Sequence, residues 1–186
     1  MYGVMAQHWM GTAVLGRIMV AEHQSFGEFA SARRAGLRRT AYLLCGDWYL
    51  ADDLVQDALA RLYARWRQVR ARGEVDAYAR RMLVNGFLAS RRRSWHREVA
   101  TADLPDVAVP ETTDDGTRDI LRRALAELHP SQRAIVVLRY WEDLSIEQVA
   151  TALGCSTGNV KSQAARGLAH LRAALAGVVA AEGGLA

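Results

Sequence analysis

The chain has 186 residues, 24 basic against 20 acidic groups for a formal net charge of +4, and 51% hydrophobic residues. That length allows one ordinary domain or two small ones, and the apolar fraction excludes a disordered tail. Cys45 and Cys155 form no CxxC pair, the five His are scattered without ligand spacing, and no apolar run reaches membrane-span length. These features argue against a disulfide scaffold, a metal site and a membrane insertion, and they favour a reducing, cytoplasmic setting with no cofactor. The first 23 residues lack a basic leader and are read as a poorly ordered extension, not a signal peptide.

The charge is unevenly spread. Residues 24–98 carry 15 Arg against 8 acids, 99–117 carry five acids and no base, and 118–174 carry 8 bases against 5 acids. The acidic stretch also holds Pro105 and Pro110 and has no helical period. It reads as a flexible linker between two basic segments, with 176–186 as a flexible tail. Such segments suit a polyanion, although on charge alone a solvated Arg-rich surface is the favoured reading.

In chain order, Phe26, Phe29, Leu37, Ala41 and Leu44 predict a first helix that Gly46 ends. Asp47 can cap a second, whose stripe runs Leu54, Val55, Ala58, Leu59, Leu62, Tyr63 and Trp66. Its early acids and late Arg suit the helix dipole. A third helix is predicted from about Val75 to Arg93, with Tyr78, Ala79, Met82, Leu83 and Phe87 buried and Arg80, Arg81 and Asn85 on another face. The closing Arg91, Arg92 and Arg93 could serve the dipole or form a phosphate-binding edge. After the linker, Ile120, Leu121, Ala124, Leu125 and Leu128 mark a fourth helix, and Pro130 opens a fifth that buries Ala134, Ile135 and Leu138. No segment alternates long enough to be a strand, so the fold class is all-α: two small helical domains, 24–98 and 118–175, joined by the acidic linker.

Residues 144–172 carry the most information. Ser145 and Gln148 form a capping box, Ile146, Val149, Ala150 and Leu153 make an apolar side, and Gly154 supplies a tight turn. Ser156 can cap a second helix that buries Val160, Ala164, Leu168 and Leu171. Short helix, glycine turn and longer helix make a helix-turn-helix. Thr157, Asn159, Lys161, Ser162, Gln163 and Arg166 are then its exposed donors and acceptors, suited to base edges and phosphates. An ordinary helical hairpin with a polar solvent face is the alternative.

With these residues in place, the chain resembles a bacterial RNA polymerase sigma factor of the extracytoplasmic-function class, most of all its actinobacterial SigE-like members. The resemblance rests on RTAYLLCGDWYLADDLVQDALARLYARW (39–66), DAYARRMLVNGFLASRRRSW (76–95) and the helix-turn-helix preceded by LHPSQRAIVVLRYWEDLS. It implies that Asp53, Leu54, Val55, Gln56 and Asp57 bind the β′ clamp helices of core RNA polymerase. Tyr78, Arg80, Arg81, Asn85, Arg91, Arg92 and Arg93 would meet melted −10 promoter DNA, with 67–78 as the stretch holding the specificity loop. Thr157, Asn159, Lys161, Ser162, Gln163 and Arg166 would meet the −35 duplex, and the second domain would also engage the β flap. An anti-sigma factor is a common partner in this class, and nothing in the chain identifies one. Ala165 and Asn159 depart from the family's usual residues.

The resemblance therefore implies a promoter-specificity subunit that catalyses no reaction itself. A stand-alone helix-turn-helix regulator is the alternative, and it requires a receiver or ligand domain upstream. An enzyme lacks support, since no nucleophile–base pair or phosphate loop is present; His129 and Cys155 read as capping or packing residues.

Overall fold

The computed structural model describes residues 25–98 and 116–183, with side chains described over 25–93 and 120–176. The expected N-terminal extension, most of the acidic linker and the last three residues lie outside the described residues. Every described element is helical: α1 (Phe26–Cys45), α2 (Trp48–Ala64), α3 (Trp66–Ala71), α4 (Val75–Glu98), α5 (Gly116–Glu127), α6 (Pro130–Val136), a π-helical turn (Val137–Trp141), α7 (Ile146–Leu153) and α8 (Thr157–Gly183). The all-α expectation holds. Contacts separate residues 1–34 from residues 35–186, and the packing below is that of the latter unit.

Local chemistry sets most helix ends. Ser25 and Glu28 cap α1 reciprocally, at 2.8 and 3.2 Å. Gly46, at φ 77°, ends that helix. Asp47 accepts from the Leu50 N–H at 2.8 Å and opens α2. His129 caps α6 ahead of Pro130. Three boundaries differ from the sequence reading. The stretch expected to hold a loop over 67–78 is the short helix α3, a turn at Arg72–Gly73, and the start of α4. Helix α4 continues to Glu98, and α8 runs to Gly183, past the Leu175 where the reading ended it. Arg- and Ala-rich sequence favours helix and carries no stop signal there.

The first helical group is built on α2 packed along α4. Leu54, Val55 and Leu62 bury against the side of α4 that carries Leu83, Val84 and Phe87, all of them within the core. Each contributes roughly 1.5–3 kcal/mol of burial. The helices come close at Gly86, where a Cβ would stand 3.3 Å from Leu54 Cδ2. The second group centres on α8, which α5, α6 and α7 all contact. Gly167 lets α6 and α8 approach: a Cβ there would lie 2.8 Å from Val136 Cγ2.

The two groups also touch. Helix α4 contacts α6 and α7, and Leu43 of α1 packs on the cluster of Ala124, Leu125, Leu128, Val136 and Leu171. Arg133 is inserted here at 4% exposure. Its Nη1 donates to the Leu44 carbonyl at 2.8 Å, and its Nη2 donates to the Ala126 carbonyl at 2.5 Å. These carbonyls end α1 and α5, so the guanidinium sits at two negative helix termini in place of a carboxylate. Burial, with the positive Arg91 nearby, lowers its pKa from 12.5 to about 10.

Candidate nucleic-acid interface

The helix-turn-helix forms as its sequence dictates. The Ser145 hydroxyl accepts from the Gln148 N–H at 3.2 Å, and the Gln148 side chain accepts from the Ser145 N–H at 2.7 Å. Gly154 is left-handed at φ 64°, and the following Cys155 N–H closes on the Ala150 carbonyl at 3.0 Å. Ser156 caps α8 by accepting from the Asn159 N–H at 3.2 Å. Val149 of α7 and Val160 of α8 are fully buried, which clamps the two helices together. Glu147, in the first turn of α7, accepts from the Ser145 hydroxyl at 2.8 Å. Its own backbone N–H and that hydroxyl hold its carboxyl below the usual range.

The register of α8 decides what it presents. Thr157 and Lys161 form one exposed ridge, and Asn159, Ser162 and Arg166 form the next. Gln163 differs from expectation. It is half-buried, and its carboxamide oxygen accepts from Gln132 Nε2 at 3.0 Å, so it is turned toward α6. At 100° per residue it falls on the edge of the buried stripe, one turn after Val160 and next to Ala164.

On α2, Asp53, Gln56 and Asp57 are exposed, and Asp57 pairs with Arg61 at 3.0 Å. Leu54 and Val55, expected at the polymerase surface, are 6% and 1% exposed. They belong to the core packed against α4. Tyr63, expected in the apolar stripe, is 66% exposed, and Tyr49 is 75% exposed. With Asp53 and Gln56 they follow the i, i+4, i+7, i+14 spacing of one helix face. That spacing was available in sequence, but aromatic residues read as core. Asp52, at the edge of this face, holds Arg38 through two bonds of 2.8 and 3.0 Å. Arg38 lies over Trp48 at 4.3 Å, and Trp48 stacks on Tyr42.

On α4, Arg81, Arg91, Arg92 and Arg93 are exposed, and Tyr78 and Asn85 are half-buried. The guanidinium of Arg91 lies 6.0 Å from the Phe87 ring. Arg80 differs from its neighbours: its Nε donates to Glu142 Oε2 at 2.5 Å. The other Glu142 oxygen accepts from the Thr40 hydroxyl, which is fully buried. Sequence reasoning missed Glu142 and Arg133. A cation directly before the apolar AIVVL run was a signal for Arg133, but its partners lie 5 to 89 residues away.

Among the described residues, no helix is long and apolar enough to cross a membrane, and no cluster of three His, Cys, Asp or Glu could hold a metal.

The sigma-70 region 2 family matches residues 30–97, and the sigma-70 region 4 family matches residues 118–171. The RNA polymerase sigma-E factor of Streptomyces avermitilis is 42% identical over 153 residues, covering 79% of this chain and 83% of that protein. The sigma-E factor of Streptomyces coelicolor is 40% identical, covering 82% and 87%. The extracytoplasmic-function sigma factor SigM of Mycobacterium tuberculosis is 31% identical, covering 82% and 78%. Among solved structures, the sigma factor RpoE of Bartonella quintana, in complex with the anti-sigma factor NepR, has a TM-score of 0.69 at 25% identity, covering 81% of this chain and 96% of that one. The match over 30–97 places a sigma region where a stand-alone regulator would need a receiver or ligand domain.

Proposed function

This chain belongs to the sigma-70 family, in its extracytoplasmic-function branch, and from that premise we propose how its surfaces divide the work of promoter recognition. It binds core RNA polymerase and directs initiation at a specific promoter class. The exposed edge of α2, Asp53, Gln56 and Asp57, docks on the β′ clamp helices, and Leu54 and Val55 hold that edge rigid from below. The ridges of α8 enter the major groove at −35. Thr157, Asn159 and Ser162 reach base edges, while Lys161 and Arg166 meet phosphates. A good bidentate base contact is worth about 1–3 kcal/mol of discrimination. Helix α4 takes the melted −10 strand. Arg80, Arg81 and the 91–93 triplet hold its backbone, and Tyr78 and Asn85 line the side where an unstacked base is captured.

The chain acts in the cytoplasm, uses no cofactor and catalyses no covalent step; the polymerase does the chemistry. The functional halves are 24–98 and 118–175, and 99–117 spans between them, with the second half also meeting the β flap. An anti-sigma protein is a fitting further partner, since the Bartonella relative is bound to one.

The observation that carries this reading is the capped, glycine-turned helix pair with the two polar ridges of α8 in solvent. The test is transcription by purified actinobacterial core polymerase on a genomic promoter library, comparing wild type with Asp53→Ala/Gln56→Ala. Initiation that needs the chain and is lost in the double variant supports the reading. No initiation with wild type overturns it.

A further inference from the structure

Glu142 lies where the two helical groups meet and exchanges a charge between them. Its carboxylate is shared between Arg80 of α4 and Thr40 of α1, with the Arg80 Nε at 2.5 Å. The side chains of Arg80 and Glu142 are 24% and 14% exposed, so neither is a freely solvated surface ion. The neighbouring Arg81 is exposed, as are Arg91, Arg92 and Arg93 further along the helix.

The backbone around Glu142 is shaped to aim it. The helix that began at Pro130 widens into the π turn, and the Glu142 N–H bonds five residues back to the Val137 carbonyl at 3.1 Å. Asp143 follows at φ 50°, a left-handed conformation outside glycine's usual role. Leu144 then returns its N–H to the Leu138 carbonyl at 3.1 Å, and Arg139 bonds the Leu144 carbonyl. A π turn and a left-handed non-glycine residue on either side of one side chain are costly local features that mark functional positions.

We propose that Glu142 stands in for a DNA phosphate on Arg80, so that the described structure is a closed state in which the helix-turn-helix half holds part of the −10 surface out of use. A carboxylate at charge-assisted distance presents to a guanidinium the same anionic oxygens that a phosphate does. The Nε–H of Arg80 cannot serve both. A single strand whose phosphate takes that N–H displaces Glu142 and removes the ion pair that ties α4 to the segment leading into α7 and α8. Glu142 is thus one of the contacts, beside Arg133 and the packing of α4 on α6 and α7, that hold the −35 half against the −10 surface, and the only one of these that a phosphate on Arg80 competes with directly. The inference rests on the reading that Arg80 faces promoter DNA.

The test measures binding of the full-length chain to a random-sequence single-stranded oligonucleotide at fixed low salt. Glu142→Gln keeps the shape and the Thr40 bond but loses the charge. It should tighten binding about tenfold, the low end of the scale of one charge-assisted bond. Asp143→Asn removes the same charge next door, and asparagine also tolerates the left-handed backbone. It should stay within about twofold of wild type, the effect of net charge alone. Arg80→Gln should bind more weakly than wild type and should cancel the gain when combined with Glu142→Gln. If Glu142→Gln matches Asp143→Asn, or if its gain survives Arg80→Gln, the competition does not exist and the inference is overturned. Arg80→Gln opens the same contact from the other side, so a folding defect in one variant does not remove the test. Promoter-dependent initiation by wild type with core polymerase is read separately. Its absence overturns the sigma reading, whereas the oligonucleotide series judges Glu142 alone.

Discussion

The contact between α6 and α8 allows a quantitative prediction, because two opposing effects meet at Gly167. An alanine there would improve intrinsic helix propensity by about 1 kcal/mol. Its Cβ, however, would stand 2.8 Å from Val136 Cγ2 and 3.8 Å from Gln132 Cβ. Carbon pairs settle at about 3.5–4.0 Å, so the first contact is short by roughly 0.7 Å or more. Val136 is buried in α6, and as a β-branched residue in a helix it has essentially one χ1 rotamer, so it cannot swing away. Relief requires the two helices to move apart, and overpacking of this kind costs about 1–3 kcal/mol. Gly167→Ala is therefore expected to destabilise the chain by about 1 kcal/mol net. In a Val136→Ala background the obstructing methyls are gone, and the same substitution should stabilise by about 1 kcal/mol. The double-mutant cycle then carries a coupling of about 2 kcal/mol. Urea unfolding of the four proteins at constant m-value reads it directly. Binding of the −35 duplex should follow, falling in Gly167→Ala and recovering in the double variant, since this contact sets how α8 is aimed. A Gly167→Ala substitution that stabilises equally in both backgrounds would refute the argument.

Three further outcomes are expected. Lys161→Ala and Arg166→Ala should each weaken duplex binding across all sequences and reduce the slope of log K against log salt by about 1, measured by fluorescence anisotropy; an unchanged slope would place these side chains off the phosphates. Arg133→Met removes the desolvated charge but strands the Leu44 and Ala126 carbonyls, and it should destabilise by about 2 kcal/mol in the same urea assay; a gain in stability would show that the buried guanidinium costs more than its bonds return. Glu147 should titrate below the usual Glu range by NMR, and Ser145→Ala should move it back upward. Because its folded pKa is depressed, its contribution to stability is present above the unfolded value and is lost as pH falls through the folded one; a normal Glu147 titration in wild type would contradict the capping geometry.

Most of what was legible in the sequence is local. Asp47, Ser145 with Gln148, Gly154 and Ser156 act on backbone groups within a few residues, so cap, turn and helix starts could be read directly. Period alone separated Val149, Ala150, Val160 and Ala164 as core from Asn159, Lys161, Ser162 and Arg166 as surface. The same logic erred where a residue sits at the border of a stripe. Gln163 turned inward to Gln132, Tyr63 turned outward, and the 67–78 stretch carried a short helix where a loop was expected.

What the chain alone determined is thus most of the helices, the caps at Asp47, Ser145 and Ser156, and the polar ridge of α8, because those follow from interactions closed within one or two turns. Tertiary structure alone decided that Leu54 and Val55 are foundation and not surface, that Arg133 lies buried between two helix ends, and that Glu142 holds Arg80. Those outcomes depend on which helices meet. Arg133 and Leu44 are 89 residues apart, and Thr40 and Glu142 are 102 apart, so no local period or cap could bring them together before the two halves packed.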